Sequence, residues 1–148
     1  VTEIELATLA GFFAGEGTMS ISGGKSPSLY VGIGNTEKLW IDRFQAAFPA
    51  GYYVEAPNHY PGAKFMFRWR ATGKKALNFL RTIQPYLIGE KADQLAIAVA
   101  FQELKKSNAN GGYTPEERLQ MDRLRNSLKE SRRTAAETNR KDAITLAK

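Results

Sequence analysis

The stretch Leu9-Ala10-Gly11-Phe12-Phe13-Ala14-Gly15-Glu16-Gly17 decides how the rest of the chain is read. Two glycines four residues apart lie inside an otherwise apolar helical pattern. Each costs a helix interior about 1 kcal/mol relative to alanine, so another gain must offset them. Close approach of a second helix along a row of small residues supplies one. Upstream, Thr2 and Glu5 have capping-box spacing and start the helix. Within it Leu6, Leu9 or Ala10, and Phe13 recur at core-facing spacing. Ala7, Gly11 and Gly15 form a second ridge at i, i+4 and i+8, suited to packing within the chain or against a neighbouring molecule. Glu16 sits where the helix runs out at Gly17, so the ridge delivers one carboxylate to a fixed place.

Downstream the pattern changes period. Residues 18–22 alternate, with Met19 and Ile21 opposite Thr18, Ser20 and Ser22, as in a half-buried strand. A Gly23-Gly24-Lys25-Ser26-Pro27 loop leads to a returning strand, 29–33, in which Leu29, Val31 and Ile33 share a face. Asn35-Thr36 is expected to cap a helix carrying Trp40, Phe44, Ala47 and Phe48, stopped by Pro49-Ala50-Gly51. Residues 52–54 and 64–71 form a second strand pair. In the later strand Phe65, Phe67, Trp69 and Ala71 point one way, and Lys64, Met66, Arg68 and Arg70 the other. Thr72 caps a helix over 74–83, broken by Pro85, and a largely apolar helix over 90–106 reads as buried.

Residues 107–112, Ser-Asn-Ala-Asn-Gly-Gly, form a linker. Thr114-Pro115-Glu116-Glu117 then starts another helix, with proline at its first position and a capping box. From about residue 131 the chain is polar and basic, a last helix or a loosely docked tail. The expected architecture is one α+β domain over 1–148: a core from about 2 to 106 with a four-stranded antiparallel sheet and helices on one face, plus C-terminal helices over about 114–148.

Composition narrows the chemistry. The chain of 148 residues has no cysteine and one histidine, which excludes disulfides, thiolate metal sites and histidine-rich metal sites within one chain. No apolar run is long enough to span a bilayer, and no basic-then-apolar leader points to export, so localisation stays open. The net charge is +6, unevenly spread: residues 1–63 hold three Lys/Arg against six Asp/Glu, and residues 64–148 hold eighteen against nine. That asymmetry favours a polyanionic partner, nucleic acid before membrane.

The nine-residue stretch and the helix-strand-strand-helix-strand-strand-helix order resemble the LAGLIDADG homing endonucleases. The resemblance covers about Thr2 to Leu104 and implies an αββαββα core whose sheet forms a DNA-binding saddle. A single motif copy implies a homodimer, packed along Ala7, Gly11 and Gly15, that brings two Glu16 side chains near the two-fold axis. It further implies a site-specific double-stranded DNA endonuclease that cuts one phosphodiester per strand and leaves short 3′ overhangs. The implied cofactor is Mg²⁺, or another divalent cation such as Mn²⁺, held by Glu16 and the Gly15 carbonyl. Asn35 and Lys91 match further site positions of the family, and Lys38 is the nearest match to an additional basic residue. The motif departs from its most cited form in carrying Ala14 and Glu16, and glutamate is still an oxygen ligand for a hard cation. An RNA maturase acting on host intron RNA, or a non-cleaving regulator, is the alternative activity on this scaffold.

The residues that would meet DNA follow from the strand faces. An antiparallel sheet fits the major groove, where arginine pairs bidentately with guanine. Lys64, Met66, Arg68 and Arg70 lead, followed by Ser20, Ser22, Lys25, Ser28, Tyr30 and His59. Asn35 also reads as a plain helix cap, Lys91 as a surface lysine, and the basic residues of 118–133 as a solvated helix face or flanking phosphate contacts.

Overall fold

The computed structural model describes residues 1–55, 62, 64–106 and 112–147. Helix α1 (Glu3–Glu16) opens with the expected capping box: the Thr2 hydroxyl accepts from the Glu5 amide at 3.1 Å, and the Glu5 carboxylate accepts from the Thr2 amide at 2.7 Å. Its two faces separate as the spacing predicts. Leu9, Ala10 and Phe13 are buried, whereas Ala7, Gly11 and Gly15 are exposed. The helix ends without a loop. Gly17 is extended and begins β1 (Gly17–Ile21), and the Phe13 ring covers it so closely that a β-carbon there would lie 2.1 Å from a ring carbon, so only glycine fits.

Strand β1 pairs antiparallel with β2 (Leu29–Asn35), and β2 pairs with β4 (Met66–Thr72) rather than with β3 (Gly51–Glu55). The sheet order is therefore β1-β2-β4-β3, all antiparallel. One face is apolar: Met19, Ile21, Leu29, Val31, Ile33, Trp69 and Ala71 are buried beneath the helices. Burial of such side chains contributes about 25 cal/mol per Å² of apolar surface, so this layer dominates the fold's stability. An aromatic cluster fills its centre, with Phe79 against Phe13, Phe48 and Trp69 at centroid separations of 4.9–5.0 Å. The Trp69 indole N–H donates to the Phe48 carbonyl at 2.9 Å, which satisfies the one polar atom this buried ring carries.

Several sequence expectations are corrected. Helix α2 (Lys38–Ala47) starts three residues beyond Asn35, which ends β2 instead; the Asn35 carboxamide oxygen accepts from the Glu37 amide at 2.7 Å, an Asx turn and not a helix cap. Ile41, absent from the expected apolar set of α2, is fully buried. Lys64 and Phe65 precede β4, and Phe65 is exposed where alternation places it in the core. Pairing with β2 and β3 reaches only as far as Met66, so the pleat does not extend to them.

Helix α3 (Gly73–Ile83) and a 3₁₀ turn (Gln84–Tyr86) lead to α4 (Glu90–Lys106), which buries one stripe through Leu95, Ala98 and Phe101, together with Gln94 and Gln102. It is not buried all round: Ala96 is exposed. The C-terminal region is one helix, α5 (Pro115–Ala147), about 50 Å long at 1.5 Å per residue. It opens with the expected Thr114–Glu117 capping box and docks through Met121 and Leu128. Beyond Ala136 all its described residues are exposed. No helix among the described residues is long and apolar enough to cross a membrane.

The Phe13–Gly17 contact yields a direct test. Gly17→Ala forces the ring or the strand to move and should destabilise the protein by about 1–3 kcal/mol, the usual cost of overpacking. Urea unfolding of the two proteins side by side measures the difference; an unchanged midpoint would mean the contact does not constrain the junction.

Candidate nucleic-acid interface

The other face of the sheet is open, and its side chains fall into rows set by the strand register. One row runs Ser20, Tyr30, Thr72; the next Thr18, Gly32, Arg70, Gly51; the third Gly34, Arg68, Tyr53. Each arginine is flanked by glycine. A β-carbon at Gly34 would lie 3.0 Å from the Arg68 guanidinium, and Gly32 and Gly51 sit on either side of Arg70. Gly34 thus leaves the Arg68 side chain room above the sheet, whereas a β-carbon at Gly32 or Gly51 would meet the carbonyl of Trp69 or Arg70. Arg70 also stacks over Tyr30, its guanidinium carbon 4.0 Å from the ring centroid, which holds a long side chain in one orientation.

These rows line a concavity whose rim includes Glu16. Thr18, Ser20, Tyr30, Arg68 and Arg70 therefore share one surface with the carboxylate at the end of α1. Glu16 is exposed and makes no hydrogen bond or ion pair among the described residues, so both oxygens are open to a ligand. The Gly15 carbonyl belongs to the last turn of α1, where no intrahelical N–H reaches it.

Lys91 comes to the same place from 74 residues away. Its ammonium donates to the Gly17 carbonyl at 2.5 Å, one residue beyond Glu16, and lies 5.9 Å from the Phe13 ring centroid. Half-burial holds its pKa below 10.5, with the nearby Arg132 charge acting in the same direction. Asn35 is not brought into the concavity; its oxygen is engaged in the turn after β2.

The remaining predicted contacts divide. Ser22 and Ser28 close the β1–β2 loop: the Ser28 amide donates to the Ser22 hydroxyl at 2.9 Å, and Lys105 donates to the Pro27 carbonyl at 2.6 Å and the Ser28 hydroxyl at 3.3 Å. Their side chains hold the loop that presents exposed Lys25. Lys64 is exposed outside the sheet, and Met66 lies beside Gly34. His59 lies outside the described residues. Lys38, the nearest match to an additional basic residue, pairs with Asp42 at 2.7 Å on the surface of α2. Among the C-terminal basic residues, Arg125 donates to the Ile21 carbonyl at 3.2 Å and anchors α5 to β1, and Arg133 is paired with Glu130 and Glu137. Thr18, Tyr53, Gly32 and Gly34 are lining residues that sequence reasoning passed over; the signal was their alternation with the buried positions of their strands.

No protein-family model and no curated protein matches the sequence. Solved structures do. The homing endonuclease I-CvuI, in complex with DNA, superposes with a TM-score of 0.67 at 15% identity, over 87% of this chain and 82% of that one. The archaeal intron-encoded homing endonuclease I-Vdi141I, also with DNA, gives 0.67 at 12% identity over 87% and 84%. The LAGLIDADG meganuclease I-AabMI gives 0.65 at 17% identity over 83% of this chain and 44% of that one. This chain has the LAGLIDADG homing endonuclease fold. In I-AabMI a chain of about twice the length holds the matched unit, whereas the I-CvuI and I-Vdi141I chains are matched over most of their length.

The half-buried lysine sets a pH dependence. Because its pKa is depressed in the folded state, the unfolded chain binds that proton more tightly, and the contribution of this group to stability rises as pH climbs through the folded value toward 10.5. Lys91→Met should flatten that part of the stability–pH curve between neutral pH and about pH 10. Urea midpoints of both proteins across that range check it; parallel curves would contradict the assignment.

Proposed function

We propose that this protein is a homodimeric, site-specific double-stranded DNA endonuclease that hydrolyses one phosphodiester per strand at a pseudo-palindromic site, leaving short 3′ overhangs. The observation that carries this reading is the unpartnered Glu16 carboxylate on the rim of the same concavity as Arg68 and Arg70. The fold it shares with DNA-bound homing endonucleases supports the same partner.

The ridge on α1 supports the dimer. A β-carbon at Gly11 or Gly15 would meet nothing within 4 Å among the described residues, so these glycines serve no packing inside the chain. Their helical cost is offset if the ridge meets its own copy along Ala7, Gly11 and Gly15. Exposed Ile4, one turn before Ala7, extends the same face with apolar surface. An isologous contact places two Glu16 side chains together and imposes its two-fold axis on the duplex.

Among the described residues no three His, Asp or Glu side chains cluster. One open carboxylate and one free carbonyl per chain still suit Mg²⁺, or another hard cation such as Mn²⁺, which keeps several waters and takes oxygen ligands from substrate phosphates. Glu16 and the Gly15 carbonyl would hold it. When bound it would lower the pKa of water and neutralise charge on the phosphate. The chain's own groups do the rest: Lys91 presents a positive charge at the junction that Glu16 occupies, and Arg68 and Arg70 read guanine edges while Lys25 and Lys64 contact phosphates. Asn35 shapes the turn after β2 that follows Gly34 on the concavity's wall.

Incubation with Mg²⁺ and a plasmid carrying the joined flanks of the coding sequence should yield linear DNA. Glu16→Gln should abolish cutting while DNA binding in Ca²⁺ persists; undiminished cutting would remove Glu16 from the mechanism. Arg70→Gln should weaken binding to the cognate duplex by about 1–3 kcal/mol and relax specificity at one base pair per half-site. In sedimentation experiments Gly11→Leu should give a folded monomer that no longer cleaves both strands, and a persistent dimer would sink the ridge as the interface.

A further inference from the structure

A second recess lies between the end of α1, the start of α4 and the middle of α5. Ala14, Gly15, Lys91, Gln94, Arg132 and Asn139 are among its walls. It adjoins Glu16 through Gly15 and Lys91, yet its third wall belongs to the C-terminal helix, outside the αββαββα core.

Two features of this recess call for a ligand. Arg132 is exposed and has no hydrogen bond or ion pair among the described residues, whereas its neighbour Arg133 is held by two glutamates. It shares the recess with the Lys91 ammonium, and Glu90 is the one carboxylate on the described walls, so the cations outnumber the anions. Two like charges around one concavity are stabilised by an anion between them. The second feature is independent of charge. Gln94 is 3% exposed, and its carboxamide oxygen is buried with no hydrogen-bond partner. An orphaned buried acceptor is destabilising unless a donor reaches it. Arg132, exposed on the α5 wall of the same recess, carries five N–H groups and no acceptor and makes no bond to that oxygen in the free protein.

We propose that Arg132 is a catalytic residue of the cleavage centre: with substrate bound, its guanidinium turns from α5 into the recess beside Glu16, contacts the phosphodiester there, and is positioned by donating an N–H to the Gln94 oxygen that is unpartnered in the free protein. This rests on the endonuclease reading. The planar fork of arginine serves both contacts at once, one edge to phosphate oxygens and one N–H to the Gln94 oxygen. The role explains why α5 continues past its last buried residue, Leu128, to bring a charged side chain beside α1.

The test uses the full-length protein and a cognate duplex selected in Ca²⁺ from a randomised library. Arg132→Ala should lower the single-turnover cleavage rate in Mg²⁺ by about 10²-fold, the usual loss for one preorganised donor at a phosphate or oxyanion. Binding in Ca²⁺ and the thermal midpoint should stay near wild type, and millimolar guanidinium should restore part of the rate. Gln94→Leu should cost less, and the double variant should be no slower than Arg132→Ala alone, as two residues acting in series require. Arg133→Ala, on the paired side of the helix, should cleave normally. Should Arg132→Ala prove poorly folded, Arg132→Lys supplies the rate, expected between the two. Cleavage by Arg132→Ala at the wild-type rate, or a loss matched by weakened Ca²⁺ binding and not rescued by guanidinium, would overturn the proposal. A wild-type protein that binds the duplex but never cuts it would instead overturn the endonuclease reading.

Discussion

The contact of the Phe13 ring with the backbone of Gly17 is the constraint on which the rest depends. It seals the end of α1, turns the chain into the first strand without a loop, and leaves Glu16 outside as the last residue of the helix. Phe13 is fully buried against Phe79, so the ring cannot yield without disturbing the aromatic centre of the core. Lys91 closes the same junction from α4 by donating to the Gly17 carbonyl. The position of the carboxylate is therefore set by packing on three elements, which gives a short exposed side chain the fixed location that chemistry on a phosphate needs.

The sheet works by a similar division between its faces. Its inner side is a continuous apolar layer. On its outer side Arg68 and Arg70 pair with Gly34, Gly32 and Gly51 across the strands and lie between Tyr30 and Tyr53. Tyr30 orients Arg70 by stacking, and Ser22, Ser28 and Lys105 secure the loop at the sheet's end. Residues that looked alike as polar strand positions thus have different tasks: some present groups to a partner, and others hold the backbone that presents them.

The C-terminal helix changes the account of the site. Its first half is structural, docked by Met121, Leu128 and the Arg125 bond to β1. Farther along, Arg132 lines a recess whose other walls come from α1 and α4 of the core. A basic tail that composition alone marks as a polyanion-binding surface contains an anchoring Arg125, an Arg133 paired with two glutamates of its own helix, and an Arg132 exposed without a partner among the described residues.

By itself the sequence determined the element order, the two faces of α1, both capping boxes, the single carboxylate at the helix end and the inward and outward sides of the strands. These follow from local periodicity and cap chemistry, which need no knowledge of distant residues. Tertiary structure alone decided the rest. Pairing of β2 with β4 aligned Arg68 and Arg70 with their glycine neighbours, and excluded Lys64 and Phe65 from the strand. Docking of α4 and α5 brought Lys91 and Arg132 to the end of α1. Such placements depend on contacts between residues far apart in the chain, where no spacing rule applies. They also divided the roles of Asn35, Ser22 and Ser28, because a polar side chain takes the nearest available partner, and only the folded chain fixes which partner that is.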